Sequence, residues 1–136
     1  MYFQFIVVQA GGQGERLRPF TKNMPKALVP VNNLPILFHL FKKYPDKKFI
    51  IIGDYKHEVL DRYLEIFSTV EYITIKADEK GNAAGLRQAL TYIPDGESFM
   101  LLWSDLILGD NFSTDQLPRG NYIGISKNIP VQLEFC

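Results

Sequence analysis

The stretch GGQGERLRPFTKNMPKALVP, from Gly11 to Pro30, follows directly on the apolar segment FIVVQA at Phe5–Ala10. It holds three glycines, two arginines, two lysines and three prolines. Glycine lets a backbone turn tightly and lets phosphate oxygens reach backbone N–H groups, and the cations can neutralise those phosphates. A strand followed by a glycine loop and cations therefore predicts a phosphate site at the carboxyl end of the strand.

Short motifs do not explain this loop, and a glycine cluster after a strand is often only a turn. The dinucleotide pattern GxGxxG is not met, because GQG at 12–14 is followed by ERL at 15–17. The P-loop pattern fails as well, because no Gly-Lys-Ser/Thr follows at the required spacing. The loop needs a longer pattern to be interpreted.

The longer pattern GGxGxRLxPxTxxxPKxLxPV is satisfied from Gly11 to Val31. It resembles the signature of the nucleotidyltransferases, or NTP transferases, that make nucleotide sugars and related CDP-alcohols such as those from phosphocholine. Chance agreement over so many positions is remote, so the chain is identified as a member of that family. The matching positions are Gly11, Gly12, Gly14, Arg16, Leu17, Pro19, Thr21, Pro25, Lys26, Leu28, Pro30 and Val31.

The resemblance implies a nucleotide site made by two segments, the glycine loop and a second segment at 78–85 that opens a predicted helix. The second segment is similar to the family's GTAGAL-like sequence, which meets the base, although Asn82, Ala84 and Gly85 depart from it. Small residues at a helix start permit either close ligand approach or tight helix packing. The sequence IKA at 75–77 stands where a pyrimidine-reading glutamine is common, so the base stays open. The implied nucleotide-binding residues are Ala10, Gly11, Gly12, Gly14, Gly81 and Asn82.

Asp105 follows the predicted apolar strand SFMLLWS at Ser98–Ser104. A carboxylate at the end of a buried strand is costly without a partner, and Mg²⁺ is bound by one or two carboxylates together with phosphate oxygens. The segment WSDL at 103–106 looks like the family's metal-binding Gly-Asp position, with serine where glycine is common. Asp105 is therefore predicted to bind Mg²⁺, and a simple turn or capping aspartate is the alternative.

The resemblance also implies the reaction: a phosphorylated acceptor attacks the α-phosphorus of an NTP and pyrophosphate leaves. Arg16 would hold the β,γ-phosphates through its fork of donors, and Lys26 would meet the charge at the α-phosphate. Positioning and electrostatics suffice for such chemistry, so no nucleophilic side chain is required. The acceptor is either a sugar-1-phosphate or a phosphorylated alcohol such as phosphocholine.

Alternation of strand and helix patterns predicts an α/β domain with a mostly parallel, Rossmann-like sheet between helices. By resemblance it is the three-layer nucleotide-diphospho-sugar transferase fold. The loops after the first and fourth strands should meet at a topological switch point, where Gln9 could also reach a ligand. His39 is predicted to be a packing residue and His57 to be solvated. The predicted helices and strands are Phe5–Ala10, Ile36–Tyr44, Lys48–Gly53, Tyr55–Phe67, Glu71–Ala77, Ser98–Ser104, Gly120–Ser126 and Val131–Phe135, with a turn at Val31–Pro35. A further helix is predicted to open within the segment at 78–85 and to continue to about Ile93.

Composition limits the class of protein. The 136 residues suffice for one globular domain, residues 1–136, and 15 basic side chains balance 15 acidic ones. This balance argues against nucleic acid or a membrane surface as a partner. A single cysteine, with neither a signal peptide nor a membrane-spanning run, predicts a cytoplasmic protein.

Two other classes compete with this interpretation. A glycosyltransferase commonly carries a DxD metal motif, which Asp105-Leu106-Ile107 does not match. A non-catalytic nucleotide-binding or regulatory domain of the same fold would not need Arg16, Lys26 and Asp105 together. Members of the family continue with an acceptor-binding portion and a second metal-binding aspartate. We therefore expect a nucleotide-binding part truncated at its C-terminal side, weak or inactive alone, whose open sheet edge permits a homo-oligomer.

Overall fold

The computed structural model describes residues 1–12, 18–77 and 82–125 of the chain. The helices are α1 (Ile36–Lys43), α2 (His57–Phe67) and α3 (Asn82–Leu90), and one turn of 3₁₀ helix spans Lys26–Leu28. The strands are β1 (Phe5–Gln9), β2 (Pro30–Val31), β3 (Leu34–Pro35), β4 (Lys48–Gly53), β5 (Glu71–Lys76) and β6 (Phe99–Trp103).

Four strands form one parallel sheet in the order β5-β4-β1-β6. Strand β1 lies in the middle, where Phe5 is aligned with Lys48 of β4 and with Phe99 of β6. Apolar residues fill β1 and β4 continuously, as expected when both faces of a parallel sheet are covered. This architecture confirms the predicted Rossmann-like α/β fold, and Gln9 lies in the central strand.

Successive residues of each strand point to opposite faces of the sheet. On one face, Ile6 and Val8 pack into a large cluster with α1, α2 and the 3₁₀ helix. On the other face, Val7 packs into a smaller cluster that includes Ala89 of α3. Helices therefore cover both faces of the sheet.

A tight hairpin of β2 and β3 joins the 3₁₀ helix to α1, as the predicted turn at Val31–Pro35 required. Its two central residues, Asn32 and Asn33, have φ of 51° and 65°. A two-residue turn with positive φ at both positions has the type I′ pattern, in which asparagine is favoured. The ring Nε2 of His39 lies 2.8 Å from the carbonyl oxygen of Val31 and ties α1 to the hairpin, which confirms His39 as a packing residue.

Several element ends differ from the sequence prediction for local reasons. Helix α2 begins at His57, two residues later than predicted, because Lys56 is in the left-handed conformation with φ of 53°. Helix α3 ends at Leu90 because the N–H groups of residues 91 to 93 bond to carbonyls three positions back, as in 3₁₀ turns.

Two further sequence predictions concern the last third of the chain. The predicted strand Gly120–Ser126 is wrong for residues 120–125, which form no strand and leave Ile123 91% exposed. These residues pair with no strand of the described sheet, which ends at β5 and β6, so their backbone groups make no ladder hydrogen bonds. Ser126 and the predicted strand Val131–Phe135 lie outside the described residues.

His57 is also placed differently from its prediction. Its side chain is 13% exposed, its Nε2 lies 3.1 Å from Asp61 Oδ2, and its Nδ1 is buried with no hydrogen-bond partner in the described structure. The ring packs on Gly53, where a side chain would come within 2.7 Å of Nδ1. The prediction of a solvated histidine is wrong because β4 ends in a glycine that leaves room for the ring.

Across the described ranges, every helix is too short or too polar to cross a bilayer.

Candidate functional site

The carboxyl ends of the four parallel strands lie at one edge of the sheet. The chain runs from β1 to β4 and β5 on one side and then crosses back to place β6 on the other side of β1. Ligands of such open sheets bind where the strand order reverses in this way. The segments that leave β1 and β6 therefore define the candidate site, as the sequence predicted for the first and fourth strands.

The first part of the glycine loop runs along the end of β4. The N–H of Ala10 donates to the carbonyl of Ile52 at 2.7 Å, and a side chain at Gly11 would come within 3.3 Å of Asp54 Cβ. Gly12 has open space where a side chain would lie. A glycine at position 11 thus lets the loop pass β4 closely, and Gly12 presents its backbone to whatever enters the site.

Lys26 and Asp105 meet at this edge although 79 positions separate them. The Nζ of Lys26 lies 2.7 Å from Oδ2 of Asp105, and the two side chains are 31% and 46% exposed. The 3₁₀ helix holds Lys26 in place, because the next two residues, Ala27 and Leu28, are buried in the large cluster. Asp105 is positioned by the end of β6, where the N–H of Ser104 donates to the carbonyl of Gln9 at 3.0 Å.

The donor set was tested against the Mg²⁺ that the sequence predicts. Within the described ranges no three His, Cys, Asp or Glu side chains gather to hold a metal ion. Mg²⁺ needs only one or two carboxylates when phosphate oxygens complete its shell. Asp105 alone therefore fits a magnesium ion that arrives with phosphates, and it does not fit a site made by protein ligands alone.

A shallow cleft lies beside the loop, toward β4. It has a volume of about 380 Å³ and is lined by Arg18, Pro19, Lys22 and Tyr55. The hydroxyl of Tyr55 donates to the carbonyl of Thr21 at 2.9 Å and is 3.3 Å from the carbonyl of Lys22. Tyr55 thereby ties the loop to the exit of β4. This contact was not predicted from the sequence, although an aromatic residue with a polar tip just after a strand was a usable signal.

Helix α3 approaches the sheet very closely. A side chain at Gly85 would come within 2.5 Å of Ile52 Cγ2 in β4. Of the two interpretations of the small residues here, tight helix packing is therefore confirmed for Gly85. Asn82 is the first residue of α3, while Arg16, Gly14 and Gly81 lie outside the described residues. Their roles remain predictions.

Comparison with known proteins identifies the family and the fold. Residues 6–116 match the family model described as nucleotidyl transferase. UTP--glucose-1-phosphate uridylyltransferase AglF of Haloferax volcanii is 34% identical over 110 residues, which are 77% of this chain and 44% of that protein. The chain thus spans less than half the length of this relative.

Two solved structures are similar in fold. The inositol-1-phosphate CTP transferase from T. maritima superposes with a TM-score of 0.63 at 22% identity, covering 76% of this chain and 44% of that one. The CTP:phosphocholine cytidylyltransferase LicC from Streptococcus pneumoniae gives a TM-score of 0.58 at 27% identity, covering 76% of this chain and 46% of that one. The described fold therefore corresponds to about half of each of these chains.

Proposed function

The chain belongs to the nucleotidyl transferase family, and on that premise we propose that residues 1–136 supply the nucleotide-binding part of a nucleotidyltransferase. The whole enzyme transfers a nucleoside monophosphate from an NTP to a phosphorylated acceptor and releases pyrophosphate. The observation that carries the proposal is the 2.7 Å contact of Lys26 with Asp105 beside the glycine loop. Lys26 supplies a cation and Asp105 a carboxylate that can bind Mg²⁺, and a polyphosphate can use both at this edge of the sheet.

The loop residues bind the nucleotide in this proposal. The backbone of Ala10, Gly11 and Gly12 faces the phosphates, because Gly12 leaves open space at the end of β1. Arg16 and Gly14 belong to the same loop, and Arg16 is assigned to the β,γ-phosphates that become pyrophosphate. Gly81 and Asn82, where α3 begins, are assigned to the base.

Lys26 is assigned to the α-phosphate, where negative charge develops during transfer. An oxygen of the acceptor phosphate forms a bond to the α-phosphorus, and the bond from that phosphorus to the α,β-bridging oxygen breaks. Pyrophosphate leaves with the electron pair. Asp105, together with the phosphates, would hold a Mg²⁺ ion, which would supply positive charge against the NTP and the leaving group.

The acceptor is proposed to be a phosphate monoester. The names of the relatives specify glucose-1-phosphate, inositol-1-phosphate and phosphocholine as acceptors of those proteins. All three carry a terminal phosphate whose oxygen is already a nucleophile near neutral pH. A cytoplasmic setting belongs to the same proposal, because the single cysteine fits a reducing compartment.

Titration of ATP, CTP, GTP, UTP and dTTP in the presence of Mg²⁺ tests the proposal by calorimetry. Lys26→Ala should weaken binding of the preferred NTP, because one charge-assisted contact contributes about 1.5–3 kcal/mol. Arg16→Ala is expected to have a similar effect. Lys42→Ala is the matched control, since Lys42 is an exposed lysine in the last turn of α1. Unchanged binding in both loop variants would overturn the assignment.

Asp105→Asn tests the metal in the same titration. The substitution keeps the shape of the side chain and removes its charge, so nucleotide affinity should lose its dependence on Mg²⁺ while the fold persists. Pyrophosphate release by the whole enzyme, with each NTP and a panel of sugar-1-phosphates and phospho-alcohols, then identifies base and acceptor. Equal Mg²⁺ dependence in wild type and Asp105→Asn would assign Asp105 to the turn alone.

A further inference from the structure

The ion pair at the centre of the site joins the two groups that the proposed function assigns to different partners. Lys26 is assigned to a phosphate and Asp105 to a metal ion, yet the two side chains hold each other at 2.7 Å. We propose that Lys26 occupies the metal position of Asp105 until a nucleotide binds, so that magnesium enters the site together with the nucleotide. This inference rests on the proposed function, because that function defines the two ligands.

Both cations would bind the carboxylate of Asp105. The ammonium of Lys26 is bonded to Oδ2 of Asp105, and a bound Mg²⁺ would lie about 2.0–2.1 Å from a carboxylate oxygen. An ion on either oxygen would lie close to the ammonium, and like charges repel. Metal binding at Asp105 therefore favours movement of the Lys26 side chain away from Asp105.

The Lys26 side chain can move without disturbing the core. The backbone at this point is fixed by the buried side chains of Ala27 and Leu28, but Lys26 itself is 31% exposed. Its ammonium is a point charge on a flexible stem of four carbons. Ion pairs this exposed are weak, so a stronger anion can capture the ammonium.

A nucleoside triphosphate offers both an anion to Lys26 and oxygen ligands to the metal ion. Its phosphates offer the ammonium more negative charge than a single carboxylate does, and they offer oxygen ligands to the metal that Asp105 needs as a partner. Binding of the nucleotide thus frees Asp105, and binding of the metal frees Lys26. By linkage, each ligand must raise the affinity for the other by the same factor.

The test uses the 136-residue chain without nucleotide. Mn²⁺ is titrated into it up to millimolar concentration as the probe, because one carboxylate with water as the other ligands binds a metal ion only weakly. Binding is followed by electron paramagnetic resonance, with Mg²⁺ added as a competitor. Lys26→Met should bind Mn²⁺ at least about threefold more tightly than wild type, a factor within the range measured for exposed ion pairs. Lys26→Arg keeps a cation that can pair with Asp105, so its Mn²⁺ affinity should stay close to that of wild type.

Two controls separate the ion pair from general effects of charge. Lys22→Met removes the same charge from the same segment, and its Mn²⁺ affinity should match wild type. Lys26→Met combined with Asp105→Asn should lose the gain, which shows that the metal binds at Asp105. Circular dichroism of each variant confirms the fold, and Lys26→Gln replaces Lys26→Met if the methionine variant does not fold.

Equal Mn²⁺ affinity in wild type and Lys26→Met would overturn the inference, as would an equal gain in Lys22→Met. A gain that persists after Asp105→Asn would overturn it as well. The titration contains no nucleotide and measures no transfer. Absence of nucleotide binding in the calorimetric experiment would therefore refute the proposed function separately from this result.

Discussion

Both faces of the sheet bury apolar side chains, but the number of residues that cover each face differs. Among the described residues, the face beneath α1 and α2 has a cluster of sixteen buried residues, including Phe38, Phe41 and Phe49. The face beneath α3 has five, of which Ala89 is the only one contributed by the helix. The first face is filled by large side chains, and the second relies on close approach of a helix backbone at Gly85.

The two faces of the sheet carry different parts of the candidate site. Lys26 is followed by Ala27 and Leu28, which belong to the large cluster, so the segment proposed to bind the α-phosphate is attached to the well-filled face. Helix α3, proposed to meet the base at Asn82, lies on the thin face. We infer that the phosphate half of the site is the more firmly held half.

The sharpest test of the comparison uses two neighbours in β4. Ile51 belongs to the large cluster and Ile50 to the small one, and both are almost fully buried. Ile51→Ala should lower the free energy of unfolding by about 4 kcal/mol and Ile50→Ala by about 2–3 kcal/mol, because a cavity with less cover collapses more easily. Urea unfolding of both variants measures the difference. Equal losses would show that the two faces are equally rigid, and a reversed order would show that the face beneath α3 is the more rigid one.

The close approach of α3 predicts a smaller loss. Gly85→Ala should lower the free energy of unfolding by about 1–2 kcal/mol, because the new methyl group would press on Ile52. In open space the same change would stabilise the helix, by up to about 1 kcal/mol. Gly109→Ala, in open space outside the helices, serves as the control.

Double substitution distinguishes crowding from a backbone effect. Ile52→Ala removes the Cγ2 atom that Gly85→Ala would strike, so the loss in the double variant should be smaller than the sum of the two single losses. Additive losses would mean that the methyl group at position 85 is not the cause.

Loss of the Tyr55 hydroxyl should lower the free energy of unfolding by about 1 kcal/mol or less. Tyr55→Phe removes the hydroxyl that bonds to the carbonyls of Thr21 and Lys22, which loosens the loop ahead of Lys26. Thermal unfolding should show a small loss of stability, and NTP titration a few-fold loss of affinity. Tyr92→Phe at an exposed position is the control. Unchanged NTP affinity would mean that the loop is held by the large cluster alone.

The smallest effect concerns alkaline pH. Burial, and then the negative charge of Asp115, raise the pKa of Tyr44 above its usual 10.0. The folded protein therefore keeps this proton more tightly than the unfolded chain does, and stability is unaffected below about pH 10. As pH rises through the folded pKa, stability should fall, and Tyr44→Phe should fall less steeply. Parallel curves for the two proteins would show that Tyr44 contributes nothing to the pH dependence.

Much of the fold followed from local patterns. Apolar runs such as Lys48–Gly53 predicted buried parallel strands correctly, and the rule that carboxyl ends share one edge brought Lys26 and Asp105 to one site. The sequence predicted separate partners for these two residues, and their contact was not foreseen. The contact depends on the distance between the 3₁₀ helix and the end of β6, which no local pattern in the sequence predicts.

Other misses have the same origin. The burial of His57 against Gly53 and the anchoring of the loop by Tyr55 both depend on how the exit of β4 is filled by neighbouring segments. The predictions for these two residues used only their neighbours along the chain. Contacts between the ends of different strands need the register of the sheet, and the structure supplied it.

The position of β1 in the middle of the sheet has a consequence for biosynthesis. This strand is made first, yet its partner Phe99 lies 94 positions after Phe5. At about 5–20 residues per second, a ribosome needs about 5–20 s to add that length of chain. Throughout that interval the apolar segment FIVVQ has at least one unpaired edge. The nascent chain therefore carries an apolar strand with an unpaired edge until β6 has been made, and slow translation prolongs that exposure.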